Sequence, residues 1–187
     1  AKRLHLDIMD GHFVPNITFG PFIVEAIRRL TDLHLETHLM IENADKYLDN
    51  FIDAGSDTVL IQVEATTDIP GDLQHIRSKN KKAGIVINPP TDFATIKPYM
   101  TMIDHLLVMT VNPGFGGQTM IEEALQKVLK AKEYQKDNNF LIEIDGGVNL
   151  KTIDKAAKSG VDLLVAGSAV FKNDNPGHAF KGLSKNL

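Results

Sequence analysis

The fold of this chain is constrained above all by short apolar runs that alternate, from one end to the other, with longer amphipathic segments. The apolar runs are rich in Leu, Ile and Val and are bounded by Gly, Pro, Asn or Asp, as buried strands are. In segment 121–134, Ile121, Leu125 and Val128 fall on one helical face. Alternating strands and helices predict a parallel sheet, because each strand must be followed by a crossover.

We predict seven strands, over residues 3–9, 33–40, 58–63, 84–88, 105–110, 140–145 and 162–166. A repeat of about 20 to 35 residues per unit fits either a doubly wound sheet or a closed (β/α)8 TIM-type barrel. A closed barrel requires eight strands and usually about 250 residues, whereas this chain has 187. No linker, repeat or low-complexity stretch divides it, so we expect a single domain over residues 1–187.

Composition excludes several classes of function. The formal net charge of -4 argues against general affinity for nucleic acid or anionic membranes, and the absence of cysteine excludes disulfides and thiolate chemistry. No apolar run approaches the roughly 18 residues needed to cross a bilayer, and the first residues carry no signal-peptide pattern. We therefore expect a cytoplasmic protein without nucleic-acid or membrane partners.

Histidine and aspartate gather on single faces of the predicted strands and at their carboxyl ends. His5, Asp7 and Met9 share one face of the first strand, His38 lies on the same face as Glu36 in the second, and the sixth ends in Asp145. Two imidazoles and two carboxylates from three strands match the ligand set of a divalent metal such as Zn, Mn, Fe or Co. From spacing alone, hydrogen-bonded core histidines and turn-forming aspartates remain an equal alternative. Four other histidines lack such companions and are predicted to be surface or structural residues: His12, His75, His105 and His178.

Glycine-rich segments follow the later strands. Segment 112–118 follows the fifth strand, Gly146 and Gly147 end the sixth, and Gly167 and Ser168 follow the seventh. Backbone amides exposed by glycine bind anions, and barrels usually hold phosphate after their last two strands. Glycine pairs more often mark turns, but two pairs after consecutive strands favour a phosphate site.

These segments resemble the ribulose-phosphate 3-epimerase family. Segment 5–16 is similar to that family's second strand and the loop after it, and 37–40 to its third strand. Segment 108–118 is similar to its sixth strand and loop, 142–148 to its seventh, and 165–169 to its eighth. The resemblance covers the whole chain and implies a barrel.

The resemblance implies a metal-dependent epimerase that interconverts D-ribulose 5-phosphate and D-xylulose 5-phosphate. One divalent ion (Zn, Mn, Fe or Co) would be held by His5, Asp7, His38 and Asp145. Asp7 and Asp145 would also be the two bases that move the C3 proton through an enediolate.

The resemblance also assigns residues that contact the sugar phosphate. Met9, Met40 and Met109 would line the pocket, and Asp10 and His12 would order the first loop. Substrate and phosphate would contact the glycine-rich residues Gly114, Phe115, Gly116, Gly117, Gly146, Gly147, Gly167 and Ser168. The oligomeric state stays open, a homo-oligomer included.

The chain departs from the family pattern in two places. The family's first strand and helix, with a Pro-Ser-x-Leu-Ser-Ala-Asp type motif, have no counterpart, so we expect seven strands around a gap and a longer natural protein. Gln62 stands where the family normally has His. Two alternatives follow: an epimerase of ketohexose 6-phosphates, or a non-catalytic remnant that binds a sugar phosphate. A decarboxylating or aldol barrel would require a lysine on a strand, and the predicted strands contain none.

Overall fold

The computed structural model describes residues 1–185 and contains one sheet of seven parallel strands. The strands are β1 (Arg3–Met9), β2 (His34–Met40), β3 (Thr58–Gln62), β4 (Lys82–Ile87), β5 (His105–Met109), β6 (Leu141–Asp145) and β7 (Leu163–Val165). Each pairs with the next along the chain, in the order β1 to β7. All seven predicted strands are present, and each boundary lies within two residues of its prediction.

Helices connect most of these strands. They are α1 (Pro21–Leu30), α2 (Leu48–Asp53), α3 (Ile69–Ser78), α4 (Leu125–Gln135), α5 (Ile153–Lys158), α6 (Ser168–Phe171) and α7 (Pro176–Ser184). The helix predicted over 121–134 begins as a 3-10 turn, Glu122–Ala124, before α4. Between β4 and β5 two short 3-10 turns replace an α-helix, in a segment where Pro89, Pro90 and Pro98 each lack a backbone N–H donor. No helix of residues 1–185 is both long and apolar enough to cross a bilayer.

The sheet curves into a nearly closed barrel whose edges are β1 and β7. Within the described residues, β1 pairs only with β2, and β7 pairs only with β6. Strands β3 and β5 are buried along their whole length, whereas every residue of β7 is partly exposed. The seven-stranded barrel with an open seam therefore agrees with the fold predicted from the sequence.

The barrel interior has an apolar half and a polar half. Leu60, Val86, Leu107, Met109 and Val111 from the region of β3–β5 form an apolar cluster that is separate from the core between sheet and helices. The inward residues of β1, β2 and β6 instead include histidines and acids (His5, Asp7, Glu36, His38, Glu143 and Asp145). The polar half of the interior therefore positions the candidate site.

Gly84 makes room for Leu60 and for the backbone and Cβ of His105. A methyl group at position 84 would lie 2.4 Å from Leu60 Cδ2 and 2.7 Å from the His105 carbonyl oxygen. We expect Gly84→Ala to lower the free energy of unfolding by about 1–3 kcal/mol, because backbone of β5 would have to move. Gly20→Ala is the matched control, since nothing lies within 4 Å of a methyl group there. Urea unfolding of both variants tests this, and equal stabilities would contradict it.

Candidate active site

Four of the predicted site residues converge at the carboxyl end of the polar half. His5, Asp7, His38 and Asp145 each place one nitrogen or carboxylate oxygen within 4.8 Å of the other three. Asp7 lies directly opposite His38 in the pairing of β1 with β2. The distance to Asp7 Oδ1 is 3.4 Å from His5 Nε2 and 3.2 Å from His38 Nδ1.

Two threonines hold the strand ends that carry the carboxylates. Thr18 Oγ1 donates a 2.6 Å hydrogen bond to the Asp7 carbonyl and accepts one from the Met9 amide. Thr110 Oγ1 lies 2.9 Å from the Asp145 carbonyl oxygen and 2.7 Å from that of Gly146. Neither threonine was predicted as a site residue, because a threonine after a strand is an ordinary loop residue in sequence.

The four residues fit a divalent cation by their chemistry and by one unpaired atom. His5 Nε2 is buried and has no hydrogen-bond partner within residues 1–185. Buried polar atoms normally have a partner, so this nitrogen, 3.4 Å from Asp7 Oδ1, is available as a ligand. A second group, His5, Glu36 and Glu143, also brings its atoms within 4.8 Å. In that group His105 already lies between the two glutamates, 2.9 Å from each.

The surroundings of Asp7 and Asp145 shift their pKa values in opposite directions. Burial alone would raise the pKa of Asp7, but the adjacent His38 and His5 imidazoles outweigh it and hold that pKa well below its ordinary value. Burial raises the pKa of Asp145 to about 7, and the negative charge of Asp7 adds to the effect. Two carboxylates whose pKa values are driven apart are the arrangement expected of an acid and base pair.

A cavity of about 100 Å³ lies over these aspartates. It brings together the predicted methionines, the glycine-rich loop and the two glycine pairs. Its lining includes Asp7, Met9, Met40, Met109, Gly114, Phe115, Gly116, Gly117, Asp145, Gly146, Gly147, Gly167 and Ser168. His5 and His38 do not line the cavity, because they lie beneath it in the barrel.

Gly146 and Gly147 are required by the backbone that leaves β6. Their φ angles are +123° and +68°, and a methyl group would lie 2.8 Å from the Val111 amide nitrogen or 2.4 Å from that of Met120. The chain can therefore turn at Asp145 only with glycine at both positions. Because both residues are glycines, this turn presents backbone atoms rather than side chains to the cavity.

The loops around the cavity are tied to each other. Asn16 Nδ2 donates a 2.8 Å hydrogen bond to the Gly114 carbonyl, which joins the loop after β1 to the loop after β5. Asp10 Oδ1 accepts from the His12 and Phe13 amides, as its predicted loop-ordering role requires. His12 itself is exposed.

His105 is structural, as one of its two predicted alternatives has it, but the prediction that it lacks companions is wrong. His105 does have acidic companions: it is buried, and its imidazole bridges Glu36 and Glu143. The three residues come from β2, β5 and β6, so no pattern within a single strand could pair them. His75 and His178 lie at the surface, as predicted.

Comparison with known proteins identifies the family. The sequence profile of the ribulose-phosphate 3 epimerase family matches residues 1–171. This chain belongs to that family. It is 47% identical to ribulose-phosphate 3-epimerase of Bacillus subtilis over 91% of this chain and 80% of that protein. It is 42% identical to the Aquifex aeolicus enzyme of the same name, over 91% of this chain and 78% of that protein. The chain is therefore an isomerase, an epimerase of pentulose phosphates.

Solved structures of other activities share the fold of this epimerase. The 3-hexulose-6-phosphate synthase of Salmonella typhimurium is 18% identical with a TM-score of 0.73, over 100% of this chain and 98% of that one. The 3-keto-L-gulonate-6-phosphate decarboxylase of Vibrio cholerae is 13% identical with a TM-score of 0.69, over 98% and 95%. At these identities the likeness concerns the barrel alone.

One lysine corrects the prediction that no strand carries one. Lys82 is the first residue of β4, and its Nζ lies 3.1 Å from Asp104 Oδ1. It is paired in register with Thr58, the first residue of β3, and so lies at the amino end of the strands. The site described above lies at their carboxyl end, so Lys82 cannot serve it.

His105 predicts a pH dependence of stability. Burial would lower the pKa of His105, but Glu143 and Glu36 outweigh it and raise that pKa to about 9 from 6.5. The stabilisation from the protonated imidazole is therefore full below about pH 6.5 and is lost as pH rises through about 9. The loss amounts to roughly 3 kcal/mol of unfolding free energy.

We expect His105→Gln to reduce this pH dependence in the metal-free protein. Urea unfolding of both proteins at intervals between pH 6 and 9.5 measures it. Equal slopes for the variant and the unaltered protein would show that His105 does not carry the charge assigned to it.

Proposed function

We propose that this epimerase interconverts D-ribulose 5-phosphate and D-xylulose 5-phosphate with one divalent metal ion and two aspartate bases. The observation that carries the proposal is the convergence of Asp7 and Asp145, from two strands that are not neighbours, with His5 and His38. Inversion at a carbon next to a ketone requires a base on one face of the substrate and an acid on the other. Two aspartates from different strands can supply both.

The protonation states of the two aspartates suit this exchange. In the metal-free site at neutral pH the low pKa of Asp7 keeps it ionised, whereas the pKa of about 7 lets Asp145 hold or release a proton. One aspartate removes the C3 proton while the other delivers a proton to the opposite face, and their roles reverse in the reverse reaction. His5, Asp7, His38 and Asp145 would hold the cation (Zn, Mn, Fe or Co), whose positive charge stabilises negative charge that develops on the substrate oxygens.

The walls of the cavity suit a sugar phosphate. We assign the phosphate to the backbone around Gly146, Gly147, Gly167 and Ser168, where no bulky side chain intervenes. The loop 114–117 covers the sugar. Three methionines, Met9, Met40 and Met109, provide an apolar surface beside the reacting carbons. Residues 1–187 would act as one sugar-phosphate-binding barrel domain, and its cytoplasmic location and oligomeric state stay predictions.

The position of Gln62 bears on the alternative substrates. Gln62 is fully buried, contacts the His38 ring and does not line the cavity. Its difference from the family's usual His therefore does not alter the surface that a sugar would contact. Gln62 therefore gives no reason to prefer a ketohexose 6-phosphate over the pentulose phosphate.

An epimerase assay with and without metal tests the proposal. We expect the metal-free protein to regain interconversion of ribulose and xylulose 5-phosphates when Zn²⁺, Mn²⁺, Fe²⁺ or Co²⁺ is added. A ketohexose 6-phosphate should react at least tenfold more slowly. Faster conversion of the hexulose would reassign the substrate, and no turnover of either sugar with any of the metals would support a non-catalytic remnant.

Substitution of either aspartate tests the two-base mechanism. Asp7→Asn and Asp145→Asn each remove a proton acceptor and keep the side chain nearly isosteric, so we expect turnover to fall by at least a hundredfold with the fold intact. Asp49→Asn, at an exposed surface pair with His75 and Lys79, is the control. Turnover above a few per cent in either site variant would contradict the mechanism.

A further inference from the structure

The two nitrogens of His5 have different surroundings. Nδ1 lies 2.9 Å from Glu36 Oε1, and Nε2 faces Asp7 without a hydrogen-bond partner among the described residues. An ionised carboxylate can only accept a hydrogen bond, so the contact with Glu36 requires a proton on Nδ1. In a neutral ring the lone pair then lies on Nε2, directed toward the four-residue site.

Glu36 is itself held in place from its other oxygen. Its side chain is 1% exposed, and Oε2 lies 2.9 Å from His105 Nδ1. His105 Nε2 in turn lies 2.9 Å from Glu143 Oε2, and Arg3 is 3.7 Å from Glu36 Oε2. Glu36 also pairs with His5 in the register of β1 and β2. It therefore cannot turn away from His5 without leaving His105 short of a partner.

His38 contacts the neutral side chain of Gln62, whereas His5 contacts the charged Glu36. Its Nδ1 lies 3.2 Å from Asp7 Oδ1, and its Nε2 lies 2.9 Å from the side-chain amide nitrogen of Gln62. In this arrangement the His38 proton is on Nδ1, because the Asp7 carboxylate can only accept a hydrogen bond. Nε2 of His38 then accepts a hydrogen bond from the Gln62 amide. Gln62 Oε1 is buried and has no hydrogen-bond partner in residues 1–185. If the amide turned over, that oxygen would accept a hydrogen bond from a protonated Nε2 instead.

We infer that Glu36 and Gln62 are the positioning residues of this site, the first locking the tautomer of His5 and the second allowing His38 to change its tautomer. Glu36 keeps the lone pair of the neutral His5 ring on Nε2. For His38 Nδ1 to serve as a ligand its proton must leave, and the ring must then carry a proton on Nε2. By turning its amide, Gln62 can accept a hydrogen bond from that Nε2–H group, which an apolar side chain could not do. The inference rests on the proposed function, because it takes the four-residue group as the cation site.

The tautomers can be measured without any turnover. In the metal-free protein labelled with ¹⁵N in its imidazoles, long-range ¹H–¹⁵N spectra should show the neutral His5 ring with its proton on Nδ1 and the neutral His38 ring likewise. On addition of Zn²⁺, His38 should change to the Nε2–H form and His5 should not. An Nε2–H tautomer of the neutral, metal-free His5 ring, or an unchanged His38 with Zn²⁺ bound, would overturn the inference.

Affinity for Co²⁺ alone provides the second readout. We expect Glu36→Gln to weaken Co²⁺ binding by roughly 10- to 100-fold, since it removes the charged acceptor behind a ligand. Gln62→Met should weaken binding comparably, and Gln62→His should retain it, because imidazole also offers a donor and an acceptor. Asp72→Asn, which alters a buried carboxylate on α3 away from the barrel interior, is the control and should bind within twofold.

Competition with a chromogenic chelator measures these affinities, and circular dichroism checks the fold of each variant. Binding by Glu36→Gln within twofold of the unaltered protein would overturn the role of Glu36. If Glu36→Gln does not fold, the role of Glu36 is tested by the NMR measurement of the His5 tautomer in the unaltered protein. Asp145→Asn separates this inference from the proposed function. Undiminished Co²⁺ binding by Asp145→Asn would place the cation elsewhere, whatever the other variants do.

Discussion

Charged and imidazole side chains inside a barrel must find partners, and the rest of this structure depends on how they do so. An unpaired charge in a low-dielectric interior costs far more than a typical domain can spare. Here β1, β2 and β6 direct His5, Glu36 and Glu143 into the interior, where His105 bridges the two glutamates. These contacts hold the lower layer of the polar half. The four-residue group with its unpaired nitrogen lies above that layer, at the carboxyl end of the strands.

Patterns within single strands were enough to predict most of the fold and the outline of the site. The two-residue period of β1 placed His5 and Asp7 on one face, and the glycine pairs marked the turns after β6 and β7. What could not be predicted depends on how separate strands approach each other. His105 meets Glu36 and Glu143 only because the closed curve of the sheet brings β2, β5 and β6 to one axis. The threonines that hold the strand ends are equally inconspicuous in sequence.

The comparisons separate what the barrel determines from what the residues determine. A synthase and a decarboxylase share this fold at 18% and 13% identity, so the fold by itself does not select a reaction. Family membership, together with a site built from histidines and aspartates, does select one. Lys82, the single lysine on a strand of the described residues, lies at the amino end, away from that site.

Anomalous X-ray diffraction from crystals loaded with Co²⁺ tests the central claim most directly, because it locates the cation independently of turnover. The account predicts one strong peak about 2.0–2.3 Å from His5 Nε2, His38 Nδ1 and one oxygen each of Asp7 and Asp145. The result discriminates between two sites, because His5 also forms a second group of possible ligands with Glu36 and Glu143. A peak among those glutamates, or none near His5, would contradict the account.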